Sequence, residues 1–345
     1  MASIIYLTDT RFGQQAWQHP SARHRCYHYA DALLANGQNA VVLPLEQATT
    51  KLLTRFDHAI FHRPMFSKRF QRALDCCRQT SVQTHADYDD LIFDPEFAGV
   101  SPLYLNGNRS IDKVREQFDA TLQAAGCFHK FITSTRFLAQ RLQHLFVDAS
   151  ITVLPNSLPR LFNPPIGRGQ KSNTTTIGYF PGSNGHAGDL RSVATALSPA
   201  IGNNVRLLVA GRMTSCDTED LPNVIHLPFA DYNQYLGLLS QVDVSIAPLQ
   251  DNDFNRSKSA VKLIESVAVG TPIIASTNPD MQDHQNTLTT LVDHTDDVLH
   301  NWRSALDSAL NRRITNDQET AATLADRYSV QSRLPILEEH LQCAA

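Results

Sequence analysis

The feature that most restricts this chain is an alternation met twice. Short β-branched or aromatic runs trade places with segments of helical period, first over residues 1–154 and again over 175–276. Parallel strands need a crossover segment between them and are buried on both faces, so this pattern belongs to parallel sheets covered by helices. In the first series strands are predicted near Ile4–Thr8, Ala40–Leu43, His58–His62, Ser81–His85, Lys130–Thr133 and Ile151–Leu154. Helices fit between them: Ser21 is placed to cap one running to Asn36 and closed by Gly37. Ser134 is placed to cap another to Phe146, with Phe137, Leu138, Leu142 and Leu145 on one face. The second series predicts strands near Thr175–Phe180, Arg206–Ala210, Val224–His226, Val242–Ala247 and Pro272–Ala275. Two doubly wound α/β sheets are the expected architecture.

Between the series, the stretch LPNSLPRLFNPPIGRGQKSN carries Pro155, Pro159, Pro164, Pro165, Gly167 and Gly169, which suit neither helix nor sheet. The expected division is 1–168, 169–327 and a final helical stretch 328–345 that returns toward the first half. A length of 345 residues accommodates two domains comfortably.

Charge and composition remove several functions. Lys+Arg 30 against Asp+Glu 34 gives a formal net charge of −4. Residues 1–165 carry 17 basic and 14 acidic side chains, and residues 166–345 carry 13 and 20. Neither half has the concentrated basic surface of a nucleic-acid binder, so no nucleic-acid partner is expected. No run approaches the roughly 18 apolar residues that cross a bilayer. The opening MASIIYLTD is strand-like, without a basic region followed by a cleavable apolar segment, which predicts no export signal and a cytoplasmic location. Cys26, Cys76, Cys77, Cys127, Cys216 and Cys343 show no C-x-x-C or zinc spacing, which predicts reduced thiols.

Two stacked Rossmann-like sheets leave a dehydrogenase, a periplasmic-type binding protein or a sugar-transferring enzyme. No G-x-G-x-x-G follows the first strand, where Gly13 stands alone, and no P-loop is present. The missing export signal disfavours the binding protein. The stretch DNDFNRSKSAVKLIESVAVGTPIIAS, 251–276, reads as a polar loop, a helix from about Ser257 to Val269, a stop at Gly270 and a buried strand after Thr271-Pro272. Ser257, Lys258 and Ser259 would then stand at a helix start, where N–H groups and the dipole favour an anion such as phosphate. Glu265, seven residues after Lys258, falls on a similar face, and a carboxylate accepts bonds from vicinal hydroxyls such as a ribose diol.

This stretch resembles the donor-binding motif of the retaining GT-B glycosyltransferases of group 1 (family 4-like), E-x7-E followed by A-x-G-x-P-hydrophobic-hydrophobic-x-S. Glu265 matches the second glutamate and residues 268–276 match the tail, while Ser257 stands where the first glutamate would be, in an N-R-S-K-S-x-x-K variant similar to a bacterial polysaccharide-type subset. IGYFPGSNGHAGDL, 177–190, reads as a strand, a Gly-rich turn and a helix start. The resemblance places Gly182, Ser183 and His186 against the donor pyrophosphate. His186 also reads as a plain turn residue. The strand RLLVAGR ends at Arg212, and PNSLPRLFNP is similar to the family's asparagine-containing segment before its interdomain linker.

In the first half, THADYDDLIFDP puts His85, Asp87, Asp89 and Asp90 at the carboxyl end of a strand, where open α/β sheets place ligands. They read as catalytic or acceptor-binding groups, as a hydrogen-bonded loop, or as a D-x-D cation site. The last belongs to a one-sheet architecture that leaves residues 170–276 unexplained. Ser21, Arg23 and Arg25 open the first helix, where arginines reach a phosphate across a cleft or are simply solvated. Residues 64–78 form a basic amphipathic segment that suits a crossover helix or a lipid surface.

The resemblance implies a GT-B enzyme with an acceptor-side first half and a donor-side second half. It would move a sugar from a nucleotide-sugar to a hydroxyl of a glycan or lipid-linked glycan, with retention, at the inner face of a membrane. Lys258 and Arg212 would stabilise the leaving diphosphate, His85 would serve the reacting centre, and Glu265 would hold the ribose. Ser257 and Ser259 fall on the donor side and Arg23, Asp87 and Asp90 on the acceptor side. No metal and no cofactor are expected, the nucleotide-sugar being a substrate. A GT-B epimerase or phosphorylase, or a non-catalytic scaffold, are the other classes compatible with the missing glutamate.

Overall fold

The computed structural model describes residues 2–9, 15–163, 174–182, 187–202, 204–213, 215–311 and 318–342. Strands β1 (Ile4–Thr8), β2 (Ala40–Pro44), β3 (His58–His62), β4 (Gln83–Tyr88), β5 (Lys130–Thr133) and β6 (Ser150–Val153) form a parallel sheet in the order β2-β1-β3-β4-β5-β6. Strands β7 (Thr175–Tyr179), β8 (Val205–Ala210), β9 (Val224–Leu227), β10 (Val244–Ala247), β11 (Ile273–Ser276) and β12 (Thr289–Val292) form a second, in the order β12-β11-β10-β7-β8-β9. The second order is that of the dinucleotide-binding fold. The first is the flavodoxin order with a strand added. In each sheet the strand order reverses once, between β1 and β3 and between β7 and β10, and such reversal points open a crevice at the carboxyl ends.

Every residue of β1, β3, β10 and β11 is buried, as their nearly unbroken apolar runs require of strands covered on both faces. The basic segment forms the helix Lys68–Arg78, capped by Ser67, and buries Phe70, Ala73, Leu74 and Cys77 as the crossover between β3 and β4. Among the described residues no helix is long and apolar enough to cross a membrane.

Several helix starts differ from expectation. Pro20 opens the first helix with His19 at its N-cap. Arg23–Tyr27 form a π turn before His28–Ala35, and Gly37, at φ +75°, ends it. Ser21 therefore lies inside the first turn, not at the cap. Thr135, not Ser134, caps Arg136–Leu145, its hydroxyl accepting from the Leu138 N–H. The 251–270 stretch holds two helices instead of one. Asn252 caps the short helix Asp253–Arg256, Ser257 follows its end, and Val261–Ala268 begins after a break, with Gly270 at φ +76° beyond it. The break lets Phe254 leave its own half and bury in the core of the first sheet.

The chain passes between the halves twice, side by side. The Leu158 N–H donates to the Tyr328 carbonyl at 2.8 Å and the Val330 N–H to the Leu158 carbonyl at 2.9 Å. Leu158 packs with Ala260, Leu263 and Tyr328 of the second half. Beyond the second crossing, the helix Leu334–Gln342 lays Leu334, Leu337 and Leu341 against Ile4, Tyr6, Tyr29 and Leu33 of the first. The expected boundary near 168 lies outside the described residues.

Candidate active site

A cavity of about 110 Å³ lies where the residues following β7, β8 and β9 meet the first helix of the other half. Phe180 and Gly182 come from the β7 turn, Tyr232 and Tyr235 from the helix Tyr232–Gln241, Lys262 and Glu265 from Val261–Ala268, and Arg23 and His24 from the π turn. A π turn re-aims side chains that a regular helix would send elsewhere, and here it turns two consecutive residues toward one cavity. A Cβ on Gly182 would meet nothing within 4 Å, so the turn leaves its space open. Gly211, by contrast, lets two loops touch: a Cβ there would stand 2.4 Å from the Pro181 carbonyl oxygen.

Glu265 is buried, with the Tyr235 hydroxyl donating to Oε2 at 2.9 Å and His24 Nε2 standing 3.3 Å from Oε1. Burial pushes this carboxyl upward, but His24, Arg23 and Tyr235 together outweigh burial and hold it below the usual carboxylate range. The Arg23 guanidinium lies over the Tyr232 ring at 3.9 Å and donates to the Gln18 carbonyl at 3.3 Å. Burial pulls the Lys262 ammonium down to about 8. Arg23 Nε and the Tyr232 hydroxyl are buried without a hydrogen-bond partner, and Glu265 Oε1 has only the longer 3.3 Å contact with His24. A buried polar atom left unpaired costs about 1–3 kcal/mol, so two around one cavity mark a place shaped for a polar ligand.

The acidic cluster after β4 is organised differently. Asp87 receives Arg25 Nε at 2.9 Å, and Arg25 is wholly buried. Asp89 receives Arg63 at 2.5 Å and the Ser21 hydroxyl at 2.8 Å, and Arg63 holds it far below the usual range. Asp90 receives Lys258 Nζ at 2.9 Å and lies 3.5 Å from Arg63. Arg63 makes these contacts from a left-handed conformation, φ +47°, strained for a side chain of its size. Each carboxylate thus has its own cation, an arrangement unlike a vacant D-x-D cation site. Among the described residues no group of His, Cys, Asp and Glu has the geometry to hold a metal ion.

His85 is a correction to the sequence reading. Strand β4 runs three residues past it, so it sits mid-sheet. Its Nε2 is 3.1 Å from His58 Nδ1 and its Nδ1 is 2.9 Å from His340 Nε2, wholly buried beneath the final helix. Ser257 is another. Its hydroxyl donates to the Phe254 carbonyl at 2.6 Å and its carbonyl accepts from Thr135, so it joins the halves and does not open a helix. The Ser259 hydroxyl accepts from Asn156 at 2.8 Å. Lys258 lies outside the helix that carries Glu265, so the two do not share a helical face. The N–H at that helix's start, Ala260, already donates to Asp280 at 2.6 Å, occupying the place read as a phosphate seat. Arg212 is exposed, 5.3 Å over the Phe229 ring. Ser183 and His186 lie outside the described residues.

The sequence reading missed His24, Tyr232, Tyr235 and Lys262. Lys262 carried a signal, as the last residue of N-R-S-K-S-x-x-K. The others reach the cavity only through the π turn and the meeting of the two halves.

No family model matches the sequence, and no curated protein matches it. Solved structures do. The chain is similar to sucrose-phosphate synthase from Thermosynechococcus elongatus, with TM-score 0.67 and 12% identity over 100% of both chains. It is similar to WaaG, a glycosyltransferase involved in lipopolysaccharide biosynthesis, with TM-score 0.63 and 13% identity over 99% of each. Anabaena Alr3699/HepE in complex with UDP-glucose gives TM-score 0.63 and 12% identity over 98% of this chain and 99% of that one. A putative UDP-N-acetylglucosamine 2-epimerase from Listeria monocytogenes gives TM-score 0.55 and 9% identity over 99% and 97%. The fold is GT-B: two doubly wound sheets with a cleft between them.

Proposed function

We propose that the chain is a glycosyltransferase that moves a sugar from a nucleotide-sugar donor to a hydroxyl of a glycan or lipid-linked glycan, with retention, in building a cell-surface polysaccharide. The observation that carries the reading is the cavity at the carboxyl ends of the second sheet, with the buried Glu265 carboxylate in its wall and Arg23 Nε and the Tyr232 hydroxyl unpaired around it. The GT-B neighbours titled as complexes with UDP-glucose and with UDP support a nucleotide donor.

In this reading Glu265 accepts hydrogen bonds from the donor's ribose hydroxyls, and the open turn at Gly182 lets the diphosphate approach the backbone. Lys262, which lines the cavity, neutralises the diphosphate as the bond from the sugar's anomeric carbon breaks and the electron pair leaves with phosphate. Lys258, tied to Asp90 at the cleft, and Arg212, at its rim, are further sources of positive charge. Asp90 and Arg63 face the acceptor side. The exposed Lys68, Arg69, Arg72 and Arg78 of the crossover helix suit peripheral attachment at the inner face of a membrane.

A panel of nucleotide-sugars with and without glycan acceptors tests the proposal. Acceptor-dependent release of nucleoside diphosphate, with a product of unchanged anomeric configuration by NMR, is expected. An epimerised nucleotide-sugar formed without acceptor would assign the other chemistry this fold carries.

A further inference from the structure

Two histidines of the first helix point their Nδ1 atoms at one carbonyl. The oxygen of Ser157 lies 3.1 Å from His24 Nδ1 and 2.9 Å from His28 Nδ1. A carbonyl oxygen only accepts, so both Nδ1 atoms carry hydrogen. That fixes what remains on His24. In a neutral ring with Nδ1–H, Nε2 is a bare lone pair, yet it stands 3.3 Å from Glu265 Oε1, itself an acceptor, with both side chains 5% exposed or less. The Tyr235 proton is already committed to the other oxygen, Oε2. Two lone pairs facing one another in a dry site repel, and a single proton between them converts the repulsion into a charge-assisted contact.

We infer that His24 carries a proton on both ring nitrogens in the closed cleft and that, as an imidazolium reaching across from the first half, it positions Glu265 for the hydroxyl groups of a nucleotide donor. This rests on the donor-site reading of Glu265. The groups facing His24 are consistent with it. Arg23 and His28 flank it on its own helix, Tyr232 and Tyr235 present phenols from one side, and Glu265 is the carboxylate opposite, with Lys262 one turn before it. Glu265 is therefore the counter-ion. His24 is a positioning residue: it belongs to the half opposite the donor helix, so the carboxylate is fully aligned only when the halves are together.

The test uses the full chain with ¹⁵N-labelled histidine, the His24→Gln spectrum identifying the His24 signals. At about pH 7 the ring is expected to show protons on both nitrogens, and Glu265→Gln is expected to return it to the neutral Nδ1–H form. Calorimetry with UDP supplies the second readout. His24→Phe is expected to weaken binding roughly ten- to a hundredfold, the loss of one hydrogen bond to a charge, and His24→Gln, whose amide can still offer an N–H to Oε1, to restore most of it. A neutral His24 in the wild type, or a charged one indifferent to Glu265→Gln, overturns the inference. So does UDP affinity unchanged in His24→Phe. If no nucleoside diphosphate binds the wild type, the functional reading falls, while the ring's protonation and its dependence on Glu265 still decide the inference.

Discussion

The two halves share an architecture, but the acidic cluster after β4 and the cavity beside it treat their polar groups differently. In the cluster each carboxylate meets a cation, Arg25 with Asp87, Arg63 with Asp89 and Asp90, and Lys258 with Asp90, although Arg25 Nη2 is left over; behind it neutral rings are bonded, His85 between His58 and His340 and His62 between Thr8 and Ser21. Around the cavity, Arg23 Nε and the Tyr232 hydroxyl are unpaired. Satisfied networks hold a fold, and orphaned atoms in a cavity await a ligand. In the proposed reading the cluster is a wall of paired charges and the cavity a receiving site, with Arg23 and His24 reaching it from the first half.

The sharpest way to break this contrast is at Arg25. Removing one partner of a buried pair strands the other charge, so Arg25→Ala should cost about 3–5 kcal/mol, seen as a lower urea midpoint, with Arg25→Met/Asp87→Leu recovering much of it. Recovery to no extent would mean the pair does more than balance charge.

Acid should act on the wall next. Burial pulls His85 to about 2, His62 to about 3 and His340 to about 4, all below the ordinary 6.5. The folded chain therefore binds fewer protons than the unfolded one, so stability present above about pH 6.5 is lost as pH falls toward 4. The slope is about 1.4 kcal/mol per pH unit for each proton taken up. Chemical denaturation at stepped pH checks it, and His340→Leu should flatten the curve.

The receiving site should respond to base. Lys262 is held near 8, so the free protein loses that charge as pH rises through 8, and UDP affinity should be full below it and decline above. Lys262→Arg should remove the dependence. A decline unchanged in that variant would assign it elsewhere.

The smallest effect is expected at Lys258. Its bond to Asp90 is partly exposed, 22% and 15%, so Lys258→Ala should change stability by no more than about 1 kcal/mol. UDP binding should suffer less than in Lys262→Ala. The reverse order would return the diphosphate to Lys258.

Most strands were legible because buried apolar runs bounded by polar residues leave little choice, and β1, β3 and β5 fall on their predicted ends. β12 was not, since Thr289-Thr290-Leu291-Val292 is too short and too polar at its start to stand out. The helix carrying Glu265 was recognised by that residue and Gly270, yet its beginning was misplaced because Asn252 starts an earlier helix whose Phe254 is buried in the other half. His85 was assigned to a strand end because the polar run HADYDD does not read as strand, although its first four residues are buried in one. His24 and Tyr232 were invisible for a deeper reason: their meeting depends on a π turn and on 207 residues of intervening chain, and no local pattern encodes either.

The central claim is that the buried Glu265 carboxylate is a donor anchor. Calorimetric titration of UDP into the wild type and Glu265→Ala, with thermal unfolding of both, tests it directly. The claim predicts saturable one-site binding weakened by about 1.5–3 kcal/mol in the variant, measured at a temperature where both proteins are folded. Equal affinity in the two proteins at equal melting temperature would contradict it.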